Sequence, residues 1–232
     1  MGIVTTSLGL EMLFRWMHFL GGITWIGLLY YFNFVQGEYF KEADGAAKSD
    51  AIQKLVPRAL AWFRWAAVVT LVSGLAIFAL KGGGMSMDIY VGALIATIMF
   101  LNVWLVIWPN QKIVIASAQQ VAAGQPALPE AAEALSTAGL ASRTNALLSG
   151  PMLFLMGASA HYPHKFSILA FLLASLIVLA LEYNGAYPVL KKLAFVKKLP
   201  AAGIMGPCAS VKGVIHCSLG LTVVLFLILD YL

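Results

Sequence analysis

The stretch LGLEMLFRWMHFLGGITWIGLLYYFNFV, residues 8–35, decides the fold. Apart from Glu11, Arg15, His18 and the two tyrosines near its end it carries no ionisable side chain. It exceeds the roughly 20 residues a helix needs to cross a hydrocarbon core. No basic segment precedes it, no A-x-A-like site follows it, and it is too long for the apolar core of a secretory signal. It reads as a retained transmembrane helix.

Five similar stretches follow: about 58–80, closed by Lys81-Gly82-Gly83-Gly84; 87–109, with an extension past Pro109; 144–161, diluted by Ser149, Gly150, Pro151 and Ser159; 165–185; and 212–231. Small residues within a span favour close helix packing rather than a break. The expected fold is all-α: an integral membrane bundle of about six transmembrane helices in a single domain, residues 1–232. A cytoplasmic loop at about 110–143 interrupts it, and residues 130–142 read as a short helix or an extension of the fourth span. Composition agrees, with 61% hydrophobic and 11% charged residues against about 45–50% and 25% in soluble domains. A soluble enzyme and a disordered chain are both excluded.

Orientation follows from the lysines and arginines. With the N-terminus outside, the inner loops hold Lys41, Lys48, Lys54, Arg58, Lys112, Arg143, Lys191, Lys192, Lys197, Lys198 and Lys212. The outer loops keep Lys81 and Lys165, and Arg15 and Arg64 fall within helices. Both termini are therefore expected on the outer, periplasmic side. The same bias explains the net charge of +5 without nucleic acid, since no basic stripe interleaved with aromatics occurs. Cys208 and Cys217 are too few for a disulfide framework. No C-x-x-C-H motif, Walker loop, H-E-x-x-H or G-x-S-x-G is present.

Ionisable residues inside a span cost about 2.5–3.5 kcal/mol on insertion scales and so become functional candidates. Glu11, Arg15, His18, Gly22 and Trp25 step by four, three, four and three residues and share one helix face. Gly150, Phe154, Gly157 and His161 share a face on the fourth span, with His164 in the turn beyond. Two histidines at similar depth, beside glycines, suit a flat cofactor such as b-type haem, with imidazole on the iron and Arg15 near a propionate. The alternatives stay open: His18 bonded to a neighbouring helix, His161 at a solvated helix end, and Glu11 with Arg15 as an i,i+4 pair. A second, inner layer holds Arg64, Glu182 and His216, with Asn102 nearer mid-membrane. Arg64 with Glu182 reads as an ion pair, or Glu182 with His216 as a proton-exchanging quinone site. His216 is also the alternative second haem ligand.

The segment Arg15-Trp-Met-His-Phe-Leu-Gly-Gly-Ile-Thr-Trp-Ile-Gly resembles the first helix of the membrane domain of bacterial PuuD-type urate hydroxylases, the urate oxidase N-terminal domain family. Ser142-Arg-Thr-Asn-Ala-Leu-Leu-Ser-Gly-Pro-Met-Leu-Phe-Leu-Met156, the run Ser159-Ala-His161-Tyr, and Glu182-Tyr-Asn-Gly185 are similar to further parts of it. The resemblance implies an oxidoreductase of the bacterial inner membrane. Its full-length members add a cytochrome c domain, which another polypeptide is expected to supply here. His18 and His161 are the implied haem ligands, with Arg15, Trp25, Gly22 and Asn145 as neighbours. Three functions are expected in turn. The first is electron transfer through haem b, between a quinone or membrane partner and a cytochrome c. The second is hydroxylation of urate or a similar purine. The third is an accessory role in a larger membrane complex.

Overall fold

A helix in lipid must satisfy its own backbone, because no water is present to do so. The structure, a computed structural model, follows that rule and describes residues 2–191, 193 and 206–232. Among the described residues there is no strand, and six long helices carry the chain. They are α1 (Ser7–Glu42), α2 (Gly45–Lys81) and α3 (Met87–Ala122), then α4 (Ala131–His161), α5 (Ile168–Leu190) and α6 (Val211–Tyr231). Lys192, Lys197 and Lys198, counted for orientation, lie outside the described residues.

Side-chain caps begin most of these helices. Thr6 accepts from the Gly9 amide at 3.1 Å, Asp44 from Ala47 at 2.7 Å, and Ser210 from Gly213 at 3.0 Å. Left-handed glycines stop two of them: Gly82 (φ 61°) ends α2, and Gly124 (φ 76°) follows α3. Three helices are widened by a π-helical turn: Tyr31–Gln36 in α1, Ala51–Leu55 in α2 and Asn102–Ile107 in α3. Pro57 and Pro109 follow such turns directly. A proline early in the resumed helix removes a donor with little loss.

Four helices, α1, α2, α3 and α6, are long and apolar enough to cross a membrane, and the apolar part of α5 is the shorter Ile168–Tyr183. Helix α4 is less apolar for a physical reason. Its Thr144, Asn145 and Ser149 are fully buried against protein, not lipid. The loop expected at about 110–143 is mostly helical. α3 runs on to Ala122 and α4 starts at Ala131, because alanine-rich sequence favours helix until Gly124, Pro126 and Pro129 interrupt it.

Helix α4 sits centrally, packed on α3, α6 and α5, while α1 and α2 form an antiparallel hairpin at its side. The hairpin closes on Gly21. A Cβ there would meet Thr70 Oγ1 at 2.7 Å and the Thr70 amide nitrogen at 3.0 Å. Gly22, the glycine expected beside a cofactor, has nothing within 4 Å of its Cβ position. Gly21→Leu should therefore force α1 from α2 and cost about 1–3 kcal/mol. Gly22→Ala should be nearly neutral. Thermal denaturation followed by size-exclusion chromatography in detergent compares the two.

Candidate functional site

The polar residues fall into an outer and an inner layer. In the outer layer, the His18 Nδ1 lies 2.9 Å from the Thr70 carbonyl and 3.2 Å from Ser73 Oγ, both on α2. A carbonyl only accepts, so Nδ1 carries the proton and Nε2 keeps its lone pair. Gly74 makes room for the ring, which lies 3.1 Å from the Cβ position there. Arg15 is exposed and donates to Glu11 at 2.8 Å, and Lys81 reaches the same carboxylate at 3.4 Å. Trp25, on the same nominal face, is buried at 1% exposure in the core.

His161 ends α4 and is exposed. Tyr30 of α1 pairs with Ser149 of α4 through hydroxyls 2.9 Å apart. His18 and His161 each lie twelve residues outward of that pair, so each rises roughly 18 Å above it. The two histidines are thus level, but α1 and α4 do not close on each other there. Their hydrogen bonds, Tyr30–Ser149 and Asn33–Ser142, lie in the inner half. The stripe Gly150–Phe154 expected to face α1 packs instead on α6, where a Cβ on Gly150 would strike Ser218 and where Phe154 meets Phe226 edge-on. His216 bonds its own helix at the Lys212 carbonyl, 2.7 Å, and is exposed. The Gly150–Ser218 contact sets α6 against α4 and puts His216 near the level of Ser149, roughly 18 Å below His18.

Beyond His161 lies a clasp that the sequence alone did not single out. Asp88, fully buried at the start of α3, accepts from the His164 backbone amide at 2.8 Å and lies 2.7 Å from its Nδ1. Asp230 of α6 sits 3.5 Å from His164 Nε2 and accepts from the Tyr162 hydroxyl at 3.3 Å. The ends of three helices are joined there. Asp88 and Asp230 each sit at a span end, where a charge looks ordinary, so only the packing reveals the pairing.

The inner layer joins α3, α4 and α5. Asn102 begins the π-helical turn of α3 and uses both amide hydrogens, one to Asn145 Oδ1 and one to Glu182 Oε2, each at 2.9 Å. Asn145 in turn donates to the Met99 carbonyl at 2.9 Å. All three side chains are buried, and Glu182 Oε1 has no partner among the described residues. Gly185 leaves the space the carboxylate fills, since a Cβ there would come within 2.7 Å of Oε1. The expected Arg64–Glu182 ion pair is not formed. Glu182 takes its hydrogen bond from Asn102, and Arg64 lies over the Trp108 ring at 3.6 Å. Asn145, expected near a cofactor at His18 and His161, lies sixteen residues from His161 along α4, about 24 Å of rise, and so belongs to this inner layer. Such a site fixes one carboxylate oxygen through Asn102 and encloses the other beside Gly185.

Glu182→Gln keeps an oxygen for Asn102 and should fold normally, while Glu182→Ala leaves a buried amide hydrogen unpaired and should cost about 1–3 kcal/mol. Thermal stability of the two variants in one detergent measures the difference.

No curated protein and no solved structure matches the chain. Residues 83–204 match the urate oxidase N-terminal family, a span that begins just before α3 and includes Asn102, Asn145, His161, His164 and Glu182. The match covers more than half of the sequence, and the chain belongs to the urate oxidase N-terminal family.

Proposed function

We propose that the chain is the membrane-embedded redox module of a urate- or purine-oxidising system, crossing the bilayer six times with both termini outside. The orientation rests on the lysine and arginine distribution. Alkaline phosphatase fused after Leu232 should be active, and fused after Gly124 inactive. The reverse pattern overturns the topology.

The observation that carries the redox reading is the anchored His18. An imidazole that donates Nδ1–H to a backbone carbonyl presents Nε2 to a metal, in the orientation such ligands use. The Thr70 carbonyl holds Nδ1 at 2.9 Å. This donor chemistry fits a b-type haem held by His18; His161, the second ligand expected from the sequence, would need α4 to close on α1 at that level, and Arg15, exposed about one turn outward of His18, would be the residue to meet a propionate. The haem supplies one-electron chemistry when bound. The residues of the chain hold His18 in one tautomer and keep its ring against α2. A haem bound there would serve electron transfer between a quinone or membrane partner and an outer cytochrome c. The purified protein should show a Soret band and a pyridine haemochrome of haem b, both lost in His18→Ala. A colourless protein that remains folded overturns this reading.

Family membership favours purine as the source of electrons. Oxidation of a purine by two electrons also releases protons, and Glu182 is the buried carboxylate with a free oxygen to receive one. Asn102 fixes the other oxygen. Membranes containing the protein should reduce cytochrome c on addition of urate. Glu182→Gln should slow this about 10²-fold or more without changing the haem spectrum. An unchanged rate removes Glu182 from the chemistry, and no response to urate overturns the purine reading.

A further inference from the structure

An arginine within a bilayer is costly unless an anion accompanies it. Arg15 has Glu11. Arg64, on α2, makes no hydrogen bond or ion pair with any described residue, and its Nε and one terminal nitrogen are shielded without partners. The guanidinium instead lies over Trp108 of α3, 3.6 Å from the ring centre. Lys112, one turn further along α3, brings its ammonium within 5.7 Å of the same ring. Two cations therefore flank one indole, and neither has an ion pair with a carboxylate among the described residues.

The position of this pair identifies what completes it. Trp108 closes the apolar run of α3, and Pro109, Asn110, Gln111 and Lys112 follow at once. That change marks the level where hydrocarbon gives way to headgroups. Beside Arg64 on α2, Ala61, Trp62 and Trp65 line a shallow apolar groove, and the two indoles are 71% and 57% exposed. Exposed tryptophans at that level mark a lipid-facing surface. A guanidinium fork matches the paired oxygens of a phosphodiester, and the nearby lysine adds charge that a zwitterionic headgroup would already balance.

We propose that Arg64, Trp108 and Lys112 form a binding site for the phosphodiester of an anionic phospholipid in the inner leaflet, with the exposed indoles of Trp62 and Trp65 beside it at the headgroup level. The site rests on the six-span topology proposed above, and the phosphatase fusions test that topology separately. It is independent of haem, which the Soret band reports.

Native mass spectrometry and thermal shift of the detergent-purified protein test it, with phosphatidylglycerol, phosphatidylcholine or inorganic phosphate added in turn. Phosphatidylglycerol should stabilise the protein and remain bound. Phosphatidylcholine should bind weakly, and inorganic phosphate should not reproduce the shift. Arg64→Gln should weaken phosphatidylglycerol binding roughly tenfold, and Arg64→Lys less, because a point charge replaces the fork. Lys112→Gln, beyond the apolar run, provides a second reduction if Arg64→Gln fails to fold. Equal binding of the two lipids, or unchanged binding in Arg64→Gln and Lys112→Gln, overturns the proposal. A full shift with inorganic phosphate assigns the site to a soluble anion and overturns the lipid assignment.

Discussion

The two hydrogens of the Asn102 amide organise this bundle. Between helices in lipid there is no hydrophobic drive, and association depends on packing and on polar groups that find each other. Asn102 donates to one residue of α4 and one of α5, so a single side chain of α3 fixes three helices about a common depth. The ends of this chain of bonds are acceptors: the Glu182 carboxylate at one end and the Met99 carbonyl at the other. Both amides are thereby oriented, and the arrangement admits one register. The outer clasp repeats the principle with charge, as Asp88 holds both a backbone and a ring hydrogen of His164.

Much of the architecture is readable in the sequence because the bilayer imposes a length and a composition. The first helix is apparent from residues 8–35, and Gly82 and Gly124 sit where chain turns are required. What escapes such reading is pairing. His18 presents the same sequence whether it faces α2 or α4, and the structure turns it to Thr70 of α2. The stripe Gly150–Phe154 has the spacing of a cofactor wall, yet serves as the seam for α6. Arg64 and Glu182 have opposite charges at similar depth, which invites an ion pair. The desolvated partners each finds are an indole and an amide. Helical periodicity identifies a face, but only the order of helices around the bundle says what that face meets.

The two layers divide the labour of a membrane protein differently. Outer polar groups are tied to neighbouring helices by one or two bonds and lie close to exposed residues such as Arg15 and His161. The inner carboxylate is enclosed, its geometry held by two amides and by the missing side chain at Gly185. The inner carboxylate is thereby fixed in direction, while the outer groups stand beside exposed surface. The family match spans the enclosed layer and the Asp88–His164 part of the outer clasp, while α1 and α2, with His18, lie before it and Asp230 lies after it.

The π-helical turn Asn102–Ile107 has a consequence for evolution of the chain. A widened turn places residues below it on a different azimuth from the one an uninterrupted helix would give them, because each residue of an α-helix advances about 100°. Asn102 above the turn faces α4 and α5, while Trp108 below it faces Arg64 of α2. Loss of one residue within the turn would let it wind as ordinary α-helix, because a π-helical turn holds one residue more than an α-helical one, and Trp108 would stay close to its present azimuth. The spacing of Asn102 and Trp108 is thus a phase relation: a deletion within the wide turn trades π-helical for α-helical winding, whereas a one-residue insertion in the regular helix turns Trp108 about 100° away from Arg64.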